Sequence, residues 1–412
     1  MYLKHLSLTN YRNYRRLEMD FPRPLTVLHG GNAQGKTNLL EAIFFLATSR
    51  APQARADRQL VHWDAAGEPL PFARLVADLE AGQHPLRLEL TVAPISASNG
   101  TLSFRKQIRV NGVPRRALDL VGEMKVVLFL PQDIDLVAGS PAGRRHFLDV
   151  ALCQIDRDYC THLSHYQQVI TRRNHLLRQL QERGGDGEQL RFWDEQAALH
   201  AGHIVARRRR AVENLARQAG SIHGELTGGT EQLNCEYMIA LWPGRDRLRP
   251  VPSEPAAIRD AFLGRWSETR AREIASGATL IGPHRDDLLL SIYGHDLQQF
   301  GSRGQQRTAA MALKLAEVEL MTSETGETPL LLLDDVMSEL DQRRRHYLAR
   351  RLDSARQAIV TTTELSDFEP AFLQRAAVWR VMEGRLLPAE ETHNDQEYPG
   401  AAWPKPQPVG PA

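Results

Sequence analysis

Three short stretches of this chain hold residue types that could handle a phosphate anion. Gly30-Gly31-Asn32-Ala33-Gln34-Gly35-Lys36-Thr37 fits the spacing G-x-x-x-x-G-K-[ST]. Its glycines let the backbone curl so that successive N–H groups face one point, at a helix N-terminus whose dipole favours negative charge. Lys36 has the length to reach terminal phosphates, and the Thr37 hydroxyl suits Mg²⁺. Far downstream, Asp334 and Asp335 follow the apolar run Leu330-Leu331-Leu332-Leu333. Two acids at the end of a buried strand can hold Mg²⁺ (Asp334) and polarise an attacking water (Asp335). The third stretch, Ser302-Arg303-Gly304-Gln305-Gln306, puts a hydroxyl and a glycine before a helical pattern carrying Ala309, Ala310, Leu313 and Leu320.

Each stretch has a plainer reading: a chance match, a strand ending in a solvated turn, an ordinary helix cap. Their order argues against chance. A P-loop, then a serine–glycine turn, then paired acids is the order of an ABC-type ATPase, in which the serine loop serves the triphosphate of a second molecule. Ser338-Glu339-Leu340-Asp341 follows the acids as an ABC D-loop would.

These loops need elements to hold them. Leu25 to Leu28 is a short buried run before Gly30, and Leu39, Leu40, Ile43 and Leu46 put one apolar face on the helix after Thr37. Between residues 72 and 113 the period becomes two: Leu86, Leu88, Leu90 and Val92, then Leu102, Phe104, Ile108 and Val110, with Asn111-Gly112 as a hairpin turn. From about 145 to 220 the period is helical. It breaks once, at Gly184-Gly185-Asp186-Gly187, which predicts two long antiparallel helices, the first reaching roughly 50 Å.

The fold class expected is α/β: an ABC-type P-loop ATPase head with an antiparallel β subdomain and an inserted helical lobe. Residues 1–120 and 276–390 would form the two parts of the head. Residues 121–275 would form the helical lobe, and 391–412, rich in proline, a disordered tail.

Composition fits a soluble globular chain: 42% hydrophobic and 25% charged over 412 residues. No apolar run approaches a membrane span, and the first residues alternate like a strand rather than a signal peptide, so the expected location is the cytoplasm. Cys153, Cys160 and Cys235 form no metal-ligand pattern and read as reduced, buried thiols. A net charge of +1 leaves any nucleic-acid face to local clusters.

The ordered set resembles the RecF family, bacterial recombination-mediator ATPases related to the heads of SMC proteins. The resemblance is carried by Asn10-Tyr11-Arg12-Asn13-Tyr14, Gly35-Lys36-Thr37-Asn38-Leu39-Leu40-Glu41-Ala42, Gly143 to Asp149, Ile281-Gly282-Pro283-His284-Arg285-Asp286-Asp287, Ser302 to Arg307 and Leu333-Asp334-Asp335. It spans about residues 1 to 385 and is most specific between Gly282 and Asp287. It implies ATP and Mg²⁺ as cofactors, ATP-dependent homodimerisation, slow hydrolysis and binding to DNA at gapped or damaged replication sites. RecR would be a partner, with RecO and RecA in the same pathway, and the protein would associate with the nucleoid.

Some positions stay open. Thr361-Thr362-Thr363 stands where a transporter ATPase carries its switch histidine. Gln132 is the candidate Q-loop residue near Mg²⁺, or a polar residue in a turn. Arg12 and Asn38 join the nucleotide candidates, with Arg12 equally readable as a surface residue between strands. For DNA, the candidates are Arg144 and Arg145, Arg172 and Arg173, and Arg207 and Arg208 within a run of four arginines. Solvated helix faces are the competing reading. A transporter subunit is disfavoured by the Gly282–Asp287 block. A long-armed SMC protein is disfavoured by the mere 265 or so residues between Thr37 and Ser302. A nucleotide-gated scaffold with little turnover is the remaining alternative.

Overall fold

The computed structural model describes residues 1–54, 56–82, 84–96, 102–242 and 252–388; the expected tail at 391–412 lies outside them. The chain divides into two compact units. The first, a sheet unit, takes Tyr2–Ile43, Ala51–Gly112 and the chain from Leu330 onward. The second, a helical unit, takes Phe44–Arg50 and Val113–Pro329.

Alternation builds the first sheet of the sheet unit. Its strands run in the order Tyr14–Asp20, Tyr2–Tyr11, Ala73–Ala81, His84–Ser96 and Leu102–Val110, each antiparallel to its neighbour. The register aligns Leu17, Leu8, Leu75, Leu90 and Ile108 in one row, all buried. A slip of one residue in any strand would turn that row to solvent, so burial sets the register. Asn111 and Gly112 take φ of 50° and 78°, as a tight hairpin turn requires.

The second sheet is parallel, as its continuous apolar strands demand. Leu330–Asp334, Ala358–Thr362, Leu25–His29 and Ala377–Met382 lie side by side, with Arg385–Pro388 antiparallel at the outer edge. Every residue of Leu330–Asp334 and of Ala358–Thr362 is buried. The register sets Asp334 beside Thr361 and Thr361 beside Leu28. The C-terminal strand ends therefore share one rim, where ligands bind in parallel sheets.

In the helical unit the first long helix is shorter than expected. Pro141–Ile155 and Arg157–Arg183 are separate helices, broken at Asp156, which is extended (φ −142°, ψ 102°). Its carboxylate accepts the Tyr159 N–H at 2.8 Å and caps the second helix. That helix has 27 residues, about 40 Å rather than 50. Its partner, Arg191–Thr227, follows beyond the glycine break, and the two pack together. A third long helix, Pro255–Ser276, packs on both through Ile258, Phe262 and Trp266. Arg303–Thr325 also packs on Arg191–Thr227 through its alanine-rich face, so this unit runs on to Pro329, beyond the lobe boundary at 275. Among the described residues no helix is long and apolar enough to cross a membrane.

Candidate nucleotide site

The strand Leu25–His29 leads into Gly30, and the helix Lys36–Thr48 begins six residues later. Between them Ala33 and Gly35 take φ of 62° and 118°. At Gly35 a side chain is excluded twice: by that φ, and by Asn13 and Tyr14, which fill the space a Cβ would need. Lys36 is buried, and its Nζ donates to the Gly30 and Gly31 carbonyls at 2.5 and 2.8 Å. The ammonium thus lies against the carbonyls of its own loop. Burial lowers its pKa, and the Asp335 and Asp334 carboxylates oppose that shift.

Asp334 closes its strand. Thr37 Oγ1 donates to its two carboxylate oxygens at 3.0 and 2.8 Å, and Thr361 Oγ1 donates to it at 2.8 Å. Asp335 leaves the strand at φ 49°, an uncommon conformation for a non-glycine residue. Its N–H donates to the Thr361 hydroxyl at 3.0 Å and carbonyl at 3.2 Å. Its Oδ1 is buried with no hydrogen-bond partner among the described residues. Burial raises the Asp335 pKa; Lys36 pulls it down and Asp334 pushes it up. A buried carboxylate oxygen without a partner is costly unless a ligand or water completes it.

The donor set fits the group expected there. Thr37 and Asp334 offer only oxygen, as Mg²⁺ prefers, and Mg²⁺ on a nucleotide takes few protein ligands. Among the described residues no three His, Cys, Asp or Glu side chains form a metal cage.

Arg12, at φ 54°, is tied by Nε and Nη2 to Glu41 at 2.8 Å each, and by Nη1 to the Gln59 carbonyl at 3.2 Å. The Asn38 amide donates to Asn13 Oδ1 at 2.8 Å. Gln132 is exposed in the turn Pro131–Ile134, within the helical unit. Sequence reasoning gave no role to Asn13, His29 or Thr361 singly. His29 ends the strand beside the loop, with Nε2 buried and unpartnered and its pKa lowered by burial, then by Arg380 and Lys36. Thr361 is the first of the three threonines, and its contact with Asp334 is visible only once the two strands are in register.

Ser302 caps the helix Arg303–Thr325 in the helical unit. Its Oγ accepts the Gln305 N–H at 3.2 Å and its own N–H donates to Gln305 Oε1 at 3.0 Å, a capping box. Ser302, Arg303 and Gly304 are exposed. The Gln305 amide donates to Glu231 at 2.9 Å.

The DNA candidates are corrected in three places. Arg173 is fully buried, donating to Asp194 at 2.8 Å, Glu273 at 2.6 Å and Thr279 at 2.8 Å. Arg208 is buried against Asp149 and the Pro283 carbonyl, both at 2.7 Å. Arg144 is buried against Asp287 at 2.7 and 3.0 Å. A guanidinium enclosed this way cannot meet a nucleic-acid phosphate without breaking its buried ion pairs. Arg145 donates to the Asp286 carbonyl at 2.7 Å, and Arg207 bridges Asp156 and Glu324 at 2.8 and 2.7 Å. Of the six, only Arg172 is exposed. Arg144, Arg145 and Arg208 end on the Gly282–Asp287 block, where Asp286 also accepts the Ala240 N–H at 2.7 Å and Tyr166 meets His284 at 2.7 Å.

Fold and site together define an SMC-type P-loop head. The model of the RecF/RecN/SMC N-terminal domain matches residues 2–383. The DNA replication and repair protein RecF of Chloroflexus aggregans is 45% identical over 397 residues, covering 94% of this chain and 100% of that protein. The RecF of Bacillus subtilis is 36% identical over 389 residues, again covering 94% and 100%. A solved structure of the recombination mediator protein RecF with ATP, of the RecFOR pathway, aligns at TM-score 0.81 with 31% identity, over 93% of this chain and 96% of that one. An Smc head bound to the C-winged helix domain of ScpA aligns at 0.51 with 16% identity, over 95% and 98%, and shows the fold alone. The chain belongs to the RecF family of DNA replication and repair proteins.

Proposed function

We propose that this protein is an ATP-driven DNA-binding dimer of recombinational repair that hydrolyses ATP slowly and acts in the cytoplasm at the nucleoid. The observation that carries this reading is the hydroxyl–carboxylate contact of Thr37 with Asp334, beside the unpartnered oxygen of Asp335. It is the arrangement a Mg²⁺–triphosphate and an attacking water call for. Gly30 to Asn38 bind the triphosphate, with Lys36 as the charge that leaves the loop carbonyls for the phosphates. Thr37 and Asp334 would hold Mg²⁺, which when bound neutralises phosphate charge. Asp335 orients and deprotonates the water, and Arg12, held by Glu41, approaches the nucleotide. Ser302 to Gln305 cap the triphosphate held by a second copy of the chain.

Relatives named for the RecFOR pathway support RecR as the partner on DNA, with RecO and RecA acting beside it to load recombinase at gaps. Sizing the protein without nucleotide, with ADP and with ATP, each with and without duplex DNA, tests the reading. A dimer that forms only with ATP and is favoured by duplex supports it; a single size under all six conditions overturns it.

A further inference from the structure

The phosphate loop is held from outside by two turns that sequence reasoning did not connect to it. One is the turn of the N-terminal hairpin, where Asn13 Nδ2 donates to the Gln34 carbonyl at 2.9 Å and Tyr14 OH donates to the Gly35 carbonyl at 2.9 Å. The other is the turn of the C-terminal hairpin, between Ala377–Met382 and Arg385–Pro388. There the Gly384 N–H donates to the same Gln34 carbonyl at 3.1 Å, and the Glu383 N–H donates to Gln34 Oε1 at 2.8 Å. The turns also pack on each other. Glu383 and Gly384 take φ of 48° and 70°, and a Cβ on Gly384 would collide with the Asn13 carbonyl. All of these residues lie in the sheet unit.

The consequence follows from the planarity of the peptide. In a trans peptide the C=O and N–H point in opposite directions, so fixing one fixes the other. Pinning the Gln34 carbonyl sets the direction of the Gly35 N–H, and pinning the Gly35 carbonyl sets that of the Lys36 N–H. These are the donors a phosphate loop must aim before its ligand arrives, since donors already aimed cost no reorganisation.

We propose that Asn13 and the Glu383–Gly384 turn are positioning residues for triphosphate binding, acting through Gln34 to hold the loop's N–H groups in their binding direction. The proposal rests on the reading of Gly30–Thr37 as the triphosphate loop. It assigns a binding role to the last hairpin of the described chain, some 350 residues from the loop it serves.

Gly384→Ala is the test, with Gly112→Ala as its control. Gly112 has a similar φ of 78° but open space around it, so the control carries the backbone penalty without the collision. The expected result is a rise of about tenfold in Kd and KM for ATP in Gly384→Ala, with kcat within about twofold and Gly112→Ala at wild-type Kd. A general loss of stability would lower Tm in both variants and leave Kd alone. If Gly384→Ala does not fold, Asn13→Ala replaces it, with a Kd rise of several-fold expected. Folded Gly384→Ala or Asn13→Ala protein binding ATP at wild-type Kd overturns the proposal. Wild type and Lys36→Ala run alongside: if the two bind ATP alike, the loop reading itself fails, whereas loss in Lys36→Ala alone leaves the loop and removes only the clamp.

Discussion

The polar groups around the phosphate loop and those gathered on Arg173 between the long helices obey opposite rules. In the helical unit every guanidinium nitrogen of Arg173 finds an acceptor inside the protein: Asp194, Glu273 and Thr279 enclose it. Beside the phosphate loop, Asp335 keeps a buried oxygen with no partner and Lys36 leans on its own loop's carbonyls. The Arg173 cluster is closed by its own carboxylates, whereas the Asp335 oxygen has no partner among the described residues and is open to a ligand. Charge clustering alone does not separate a binding surface from a structural core; the completeness of the hydrogen bonds does.

The sharpest way to break that contrast is Arg173→Ala, which should leave Glu273 without its cation and Asp194 with Arg270 alone, 3.4 Å away. Removing one member of a buried network costs about 3–5 kcal/mol, and thermal unfolding should move down accordingly. Burial already raises the Glu273 pKa, opposed by Arg173. Without the arginine it rises further, so the folded variant gains by taking up a proton. The deficit should therefore be smallest below the ordinary glutamate range, near 4.5, and grow as pH rises through the raised value. A deficit independent of pH between 4 and 8 would show that the carboxylates had found other partners.

On the open side, Asp335→Asn should keep Mg²⁺–ATP binding through Thr37 and Asp334 while lowering kcat by about 10²–10³-fold. The expected species is a persistent ATP-bound dimer, read by sizing and phosphate release. In the wild type the raised Asp335 pKa means the carboxylate is protonated at a higher pH than an ordinary aspartate. Hydrolysis should start to fall at correspondingly milder acidity, and Asp335→Asn should lose that limb of the profile. Wild-type turnover in Asp335→Asn would remove it from the chemistry.

Ser302→Arg probes a group that is satisfied and exposed at once. Its hydroxyl only caps its own helix, so the variant should bind ATP as a monomer within about twofold of wild type. Association and hydrolysis should fall about 10–100-fold, because a cation placed in a closing interface is desolvated without a partner. Mixed with Lys36→Ala protein, it should regain partial association, since one composite site of the mixed dimer carries neither defect. A mixture as inert as its components would refute the assignment of Ser302 to a site in trans.

The phosphate loop was legible because its chemistry is local: glycines, lysine and threonine at fixed spacing need no tertiary information. Asp334 and Asp335 were legible for the same reason, as acids closing an apolar strand. The arginines were not. The partners of Arg173 lie 21 and 100 residues away, and those of Arg208 at 59 and 75, so no window of sequence shows that they are enclosed. The helix break at Asp156 was hidden in another way. The apolar period runs through it without a gap, and only the carboxylate cap turns the chain. The third helix is written in Ile258, Phe262 and Trp266 at steps of four, an apolar stripe that a lobe of two helices leaves without a place.

The smallest effect should come from Arg172, next in sequence to Arg173 and opposite to it in fate. Arg172 is exposed, its guanidinium 5.7 Å from the centre of the Trp193 ring. That stacking holds the charge outward and is worth about 0.5–1 kcal/mol at an exposed site. Arg172→Ala should therefore leave ATP binding untouched and change Tm far less than Arg173→Ala does. If duplex DNA passes over this helix face, one phosphate contact is lost: affinity at low salt falls a few-fold, and the slope of log K against log salt drops by about one. The slope is the better readout, because a sequence-independent contact changes it whatever duplex is used. An unchanged slope, with an intact ATP-dependent dimer, would move the DNA path away from the long helices and leave Arg172 as solvated charge.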